Sequence, residues 1–477
     1  MMLLKYLITT LILILCFSFY KGQAQKAWTL QECIIYALDN NIQIKRQELQ
    51  SELAKNNYNQ SRYQVLPNLN AGGSHNWNFG RNVDRYTNEI TNTTVVSDNV
   101  SIQSSVTLFS GFQILNTIQQ NRYLMEKSLQ DYSKAKNDMC LQIATVFLQI
   151  LFSEEALTIA ESQLEVTSLQ VEKTKKLVDV GNKAKGELMQ IQAQEASEKY
   201  NVITARNNLK IANLTLAQLL ELKNDNDFKI SRPDSIHFDY KNVVATVDDI
   251  YKEAEAKLPE IKTTEYDQKI SETALAIARG QRSPTLTLSG SYGSGYSNAR
   301  QRTDSLGNTI STVGYVNGDL NMPVLFPTQI PYSGKYPFFS QLKDNAYKTL
   351  SISLSVPIFN NFVVNKNINN ANIRLKDASY GLEQSKKNLY KEIQTAHADA
   401  QAAIEKYNAA NEAIAYNEES FKYTQQKFDV GLVSSVDYNV AKNSLTKAKS
   451  DLIQAKYEYI FKIKVLDFYR GIAITLD

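Results

Sequence analysis

The chain is written twice. Ser105-Val106-Thr107-Leu108-Phe109-Ser110-Gly111-Phe112 returns 250 residues later as Ser355-Val356-Pro357-Ile358-Phe359-Asn360-Asn361-Phe362. The same offset carries Asp179-Val180-Gly181 onto Asp429-Val430-Gly431. Upstream, Leu66-Pro67-Asn68-Leu69 corresponds to Ser283-Pro284-Thr285-Leu286, and Ile44 to Ile261, at an offset of 217. The second copy is therefore 33 residues longer, and all of the excess lies between its two strands. A tandem repeat with one swollen inter-strand loop is one architecture used twice, the difference being confined to a surface that tolerates it.

Within each copy a period of two comes first. Val100, Ile102, Val106 and Leu108 alternate with Ser101, Gln103, Ser105 and Thr107, and Leu350, Ile352, Leu354 and Val356 with Ser351, Ser353 and Ser355. The partner strands agree: Leu69, Ala71, His75 and Trp77 against Asn68, Asn70, Ser74 and Asn76, then Leu286, Leu288 and Tyr292 against Thr287, Ser289 and Ser291. Strands of roughly ten residues, apolar on one face and hydroxyl- or amide-bearing on the other, are the pattern of an outer-membrane barrel. A soluble sandwich would need the greasy faces to pack together, and each strand pair abuts a helix too long for such a domain. Four strands cannot close a barrel, because small closed examples have about eight. Several chains must pool their hairpins: two would give a filled interior, three a twelve-stranded wall with a wet lumen.

The period then changes. No strong break separates Phe112 from Gly181, a stretch of roughly 100 Å at ~1.5 Å per residue. Its apolar residues, among them Met125, Leu129, Met139, Ile143, Ile150, Leu157, Leu164 and Val171, recur in three- and four-residue steps that make a coiled-coil seam. Arg122 and Lys136 fall in that seam and predict looser packing at its start. The chain turns at Gly181-Asn182 and returns over Glu187–Leu222, about half the rod. The segment Leu30–Tyr63 is the natural completion, stacked end to end with the returning helix. Copy two offers the same parts.

The first two dozen residues read as a secretory leader: Lys5, an apolar run from Leu7 to Phe19, and Gly22-Gln23-Ala24 as the exit. Cys16 lies inside that run after the bulky Leu15, a poor setting for lipidation. No other apolar run is expected to approach the ~20 residues of a membrane helix, so a mature chain that spans a membrane does so as a closed barrel. Lys and Arg number 52 against 49 acids, with no sustained basic stripe, which argues against a nucleic-acid partner. Cys33 and Cys140 sit in helical patterns and read as packing residues. His75, His237 and His397 are isolated, no H-E-x-x-H or Walker A motif is present, and no convergent polar constellation marks an enzyme or a cofactor site.

These features together resemble the TolC-type outer-membrane efflux protein family over essentially the whole mature chain. The resemblance rests on the duplicated plan, Val180-Gly181 and Val430-Gly431-Leu432-Val433 at the turns, the strand-to-helix phrases ending in Phe112 and Phe362, and the ending Leu466-Asp467-Phe468-Tyr469-Arg470-Gly471. It implies a homotrimer with a twelve-stranded barrel and a periplasmic helical tunnel, serving an inner-membrane pump of RND or ABC type through a periplasmic adaptor protein. It implies also that the turns form a closed periplasmic tip narrowed by an acidic ring. Asp437, six residues beyond Gly431, matches that ring, and Glu187 is its first-copy counterpart. Three carboxylates at one constriction repel each other and attract cations. An ordinary helix cap is an equally good and compatible reading of Asp437. The chain departs from the family pattern at Val440, Phe428 and Val433, where a second acid, a tyrosine and an arginine would stand. Closure must then use other contacts, such as Lys183 or Lys185 with Asp179, Glu187 or Asp437; Asp429 and Asp179 complete the candidate gate, and the surface around Gly181 and Gly431 is the expected adaptor-docking zone.

The expected fold class is α+β: a trimeric twelve-stranded barrel, four strands per chain, continuous with a helical coiled-coil barrel. Its divisions are a leader, 1–24; a first repeat, 25–246, with helix 30–65, strands 66–79 and 99–109, long helix 112–180, returning helix 185–222 and belt 223–246; and a second, 247–477, with helix 248–282, strands 283–296 and 350–359, long helix 363–430, returning helix 434–470 and tail 471–477. The loop 297–349, rich in proline and aromatics, reads as a folded cap. The expected function is a passive exit duct for small molecules or proteins, gated at its helical tip. The rival is a periplasmic coiled-coil adaptor, which shares the helical hairpins but lacks four alternating strands.

Overall fold

The computed structural model describes residues 27–83, 88, 90–92, 94–222, 228–232 and 245–475. The leader and most of the belt lie outside them. The chain divides into two compact units: Met1–Lys55, Tyr123–Lys269 and Lys376–Asp477 form one, Asn56–Arg122 and Ile270–Leu375 the other.

Elements follow in the order α1 (Leu30–Asn40), α2 (Ile42–Tyr63), β1 (Asn68–Asn78), β2 (Asn82–Val83), β3 (Ile90–Thr91), β4 (Val95–Phe109), α3 (Gln113–Asp179) and α4 (Lys185–Leu219). The second copy supplies α5 (Val247–Lys257), α6 (Pro259–Gly280), β5 (Thr285–Ser297), β6 (Gln301–Tyr315), β7 (Pro323–Lys335), α7 (Phe338–Asp344), β8 (Tyr347–Ser355), α8 (Val363–Asp429) and α9 (Ser435–Tyr469).

In the strand-bearing unit the four long strands form one antiparallel sheet in the order β1-β4-β5-β8. Register turns the sequence alternation into rows. Asn68, Ser105, Ser289 and Ser351 are paired neighbours on one face, while Val106, Leu288 and Ile352 pair on the other. Leu350 is 78% exposed and Leu69 74%, so the apolar face is uncovered in the single chain. Contiguous apolar surface of this kind marks a lipid or protein contact. The last strand, expected over 350–359, occupies Tyr347–Ser355 instead. Pro357 has no N–H to give a ladder and stops it early.

The swollen loop is ordered, as a β6–β7 hairpin, a 3-10 turn at Val316–Gly318 and the helix α7. Beyond Gly293 strand β5 has outrun its partner β8, and α7 serves that bare stretch. Gln341, fully buried, accepts from Ser297 N–H at 3.1 Å and donates to its carbonyl at 2.9 Å, and Asn345 donates to Gly295 O at 2.7 Å. Side-chain amides thus replace the missing strand.

In the helical unit the single entering helices expected over 30–65 and 248–282 are each two. Asn41 breaks the first: its backbone is extended, and its Oδ1 accepts from Gln43 N–H at 2.8 Å, capping α2. Leu258, at offset 217, breaks the second, because Pro259 disfavours helical geometry in the residue before it. Thr29 and Thr246 cap α1 and α5 through N–H groups of Glu32 and Asp249, both at 3.2 Å. Stacking is direct: Asn41 Nδ2 donates to Leu219 O at 3.0 Å, and Lys257 Nζ to Arg470 O at 3.0 Å, satisfying C-terminal carbonyls of α4 and α9.

Two apolar cores hold these junctions, one around Cys33, Ile143, Phe147, Leu151 and Leu216, the other around Ile250, Ile261, Leu389, Ile393 and Leu466. Contrary to the sequence expectation, α3 contains an 18-residue window apolar enough to cross a membrane. Within the same helix Met139, Ile143, Phe147, Ile150 and Leu151 are buried in the first core, while only 39% of that apolar window is buried. Cys33 and Cys140 are free thiols, and burial pushes the Cys33 thiol up to about 12.

Candidate functional site at the helical turns

Both turns are built alike. Gly181 and Gly431 have φ of +79° and +78°, a left-handed conformation that glycine adopts without steric cost. Asn182 N–H bonds Leu177 O at 2.8 Å and Leu432 N–H bonds Lys427 O at 2.9 Å, the six-to-one bonds that close a helix C-terminus. Beyond the glycine and its two chain neighbours, nothing lies within 4 Å of where a side chain would start at either position, so conformation rather than space requires them.

The four candidate gate acids take different positions. Asp437 closes a capping box: it accepts from Ser434 N–H at 3.1 Å and Ser434 Oγ at 2.7 Å, while its own N–H donates to Ser434 Oγ at 3.2 Å. The hydroxyl first and the backbone N–H second hold the Asp437 carboxyl below the usual 3.8. Glu187 pairs with Lys183 at 2.9 Å. Asp429 pairs with Lys173 of α3 at 2.7 Å. Asp179 is exposed and has no ion-pair partner among the described residues. Of the lysine contacts considered for closure, the structure makes Lys183–Glu187; Asp437 is engaged by Ser434 instead.

Phe428 stands where a hydrogen-bonding tyrosine was absent from the sequence, and it is 3% exposed. Its ring meets Tyr438 at 4.8 Å and lies in a cluster with Ile191, Val171, Phe421 and Val433. Lys183 Nζ sits 4.1 Å from the Phe428 ring centre, a cation–π contact worth about 0.5–2 kcal/mol. Burial pushes the Tyr438 phenol up to about 12. The two turns are thus held together within the chain by ring packing.

Deeper along the same helices lies a site that the sequence reading missed. Lys442 of α9, 2% exposed, reaches Glu198 of α4 at 3.0 Å and Gln163 O of α3 at 3.3 Å. Thr167 Oγ bonds both Lys442 and Glu198, and Gln194 donates to Glu198 at 3.0 Å. Three helices therefore share one buried ion pair, and burial holds the Lys442 ammonium below its ordinary range. The second copy does not repeat the pair: at the offset of 250, Glu198 and Lys442 correspond to Ala448 and Gln192.

Among the described residues no group of His, Cys, Asp and Glu is arranged to hold a metal ion. His75 contacts Asp98 across β1 and β4 and stacks edge-on to Trp77 at 4.1 Å.

Comparison with known proteins agrees with the architecture. The chain is 23% identical over 435 residues to outer membrane protein TolC of Escherichia coli (strain K12), covering 88% of this chain and 78% of that one. It is 22% identical over 377 residues to toxin and drug export protein A of Aggregatibacter actinomycetemcomitans, covering 76% and 70%. Among solved structures, CusC superposes with a TM-score of 0.76 at 18% identity, covering 96% of both chains. The Vibrio cholerae outer membrane protein VceC gives 0.75 at 14%, covering 93% and 96%. The family model described as outer membrane efflux protein matches residues 34–221 and 250–462, one segment for each copy of the repeat, and the chain belongs to that family.

Proposed function

We propose that this outer-membrane efflux protein works as a homotrimer whose three four-stranded sheets close one twelve-stranded barrel above a helical tunnel. The observation that carries the reading is the sheet β1-β4-β5-β8, which has an uncovered apolar face, a polar face and two unpaired outer strands. Unpaired strand edges in a bilayer leave hydrogen-bonding groups that lipid cannot satisfy. Three copies joined β8 to β1 remove every edge and turn the rows of Asn, Ser and Thr inward onto a wet lumen. The duct is passive. A periplasmic adaptor and an inner-membrane pump supply energy and open the tip, the adaptor docking around Gly181 and Gly431. Asp437, with Glu187, Asp429 and Asp179, lines the gate.

The decisive experiment is subcellular fractionation with a detergent-corrected mass. Three chains in the outer-membrane fraction are expected, and a soluble periplasmic monomer would overturn the reading. In a planar bilayer, Asp437→Asn is expected to weaken cation selectivity; unchanged selectivity would remove Asp437 from the gate while leaving the duct intact.

A further inference from the structure

The two faces of the four-stranded sheet differ in charge as well as in polarity. Pairing carries Asn70, Gln103, Ser291 and Thr349 into one row of the polar face, and Gly72, Ser101, Gly293 and Tyr347 into the next. In the five rows from that of Asn68 and Ser105 to that of Asn76 and Ser97, every residue on this face is Asn, Gln, Ser, Thr, Gly or Tyr. Charged residues make up 21% of the chain, so a face of this extent built at the average would carry several. Asp98 and Lys348, the acid and the base within these strands, both stand on the apolar face, where register sets them beside Tyr296 and Tyr292.

The polar face is also smooth. Its one large ring within these rows, Tyr347, is paired with Gly293, where a side-chain carbon would lie 2.6 Å from the Tyr347 hydroxyl oxygen and 2.7 Å from its ring carbon Cζ. The ring therefore lies back over the glycine, which is buried beneath it, and a bare strand position provides the room. The remaining side chains on the face are short.

Resting on the trimeric reading above, we propose that the barrel is the stretch of the duct that does not sort cargo by charge. Anionic, cationic and zwitterionic polar solutes pass it alike, and selection by charge is left to the helical turns, where Asp179, Glu187, Asp429 and Asp437 gather. Pores sort ions with rings of like charge, and threefold repetition turns any one wall charge into such a ring. A fixed charge is felt over about 8 Å in physiological salt, so even one per chain would bias the lumen. Hydroxyls and side-chain amides instead offer donors and acceptors together. They replace part of a solute's hydration whatever its sign, and they hold no solute by ion pairing.

The test is the rate at which charged thiol reagents reach single cysteines in the full-length protein, kept in outer membranes. Ser291→Cys puts a thiol on the polar face and Leu288→Cys one on the apolar face; the unsubstituted protein, with Cys33 and Cys140, is the blank. The probes are trimethylammonium-ethyl and sulfonato-ethyl methanethiosulfonate, alike in size and opposite in charge. Their rate ratio is divided by the same ratio for free mercaptoethanol. At Ser291→Cys the corrected ratio is expected within about twofold of one, as for a wall without fixed charge. A ratio outside that range would show a charged lumen and overturn the proposal. Ser289→Asp added to Ser291→Cys is expected to favour the cationic probe by about threefold or more; an unmoved ratio would also overturn the proposal, because wall charge would then not govern passage. Neither probe is expected to modify Leu288→Cys. Reaction at Leu288→Cys, or none at Ser291→Cys, would overturn the barrel reading beneath, since water would then lie on the wrong face.

Discussion

The two strand-to-helix corners show how far the copies of this chain have diverged at equivalent points. At the first, Gly111 has φ +63° and faces Gly280 so closely that a side-chain carbon on either glycine would lie 2.5 Å from the other's backbone oxygen. At the second, Asn361 holds nearly the same conformation, φ 52°, and Phe112 and Phe362 both have φ 60°. Each corner stacks its phenylalanines edge-on, Phe109 on Phe112 and Phe359 on Phe362, both at 5.7 Å. The backbone path is common and the neighbours are not. Gly280 corresponds to Tyr63 at the offset of 217, so a bulky pair occupies positions whose counterparts meet backbone to backbone. The two copies keep the backbone path at these corners and differ in the residues that stand around it.

The largest expected contrast lies in the helical seams. Lys442→Ala leaves Glu198 buried without its counter-charge and should cost about 3–5 kcal/mol, whereas Gln192→Ala, at the exposed counterpart, should stay within about 0.5 kcal/mol. Thermal unfolding of the detergent-solubilised protein measures both. Replacing the pair together, Lys442→Met with Glu198→Leu, should recover much of the loss, because two fitted apolar groups avoid the desolvation cost. Equal losses at Lys442 and Gln192 would break the comparison.

At the corners, Gly111→Ala combines left-handed strain with a clash against Gly280 and should cost on the order of 3 kcal/mol. Asn361→Ala carries the strain alone and should cost about 1 kcal/mol. The heat needed to dissociate the assembled protein on a gel is the readout. Smaller, and equal in the two copies, are the caps: Thr29→Ala and Thr246→Ala should each remove about 1 kcal/mol, followed by helix content on heating.

The smallest effect concerns pH. Because Ser434 depresses the Asp437 carboxyl, that group's stabilisation of the helix start is present above the unfolded value near 3.8 and is lost only as pH falls through the lower folded value. Ser434→Ala should raise the carboxyl back toward its ordinary range. Loss of cation selectivity on acidification should then begin at higher pH in Ser434→Ala than in the wild type, and an unmoved pH profile would separate the cap from the gate.

Much of this was legible because the repeat could be checked against itself. Alternation at Val100–Leu108 and Leu350–Leu354 named the strand faces that register later aligned, and the paired glycines named the turns. The break at Asn41 was not legible, since a polar residue in an amphipathic helix looks the same whether it faces water or caps the next turn. Leu258-Pro259 carried the stronger signal, and the offset of 217 could have transferred it. The Lys442–Glu198 pair was hidden for another reason: its partners are separated by 244 residues and meet only through packing. At the candidate gate, the acids were visible as residue types, but the partners of Glu187, Asp429 and Asp437 were set by helix phase.

If copies join strand to strand as proposed, Gln341 gives the swollen loop a role in fidelity of assembly. A protein completed by joining strand borders must offer some borders and refuse others, or its copies would polymerise out of register. By occupying both backbone groups of Ser297, Gln341 withdraws the overhang of β5 from that exchange. In the trimer proposed above, that leaves the two outermost strands of the sheet, β1 and β8, as the borders that join copy to copy.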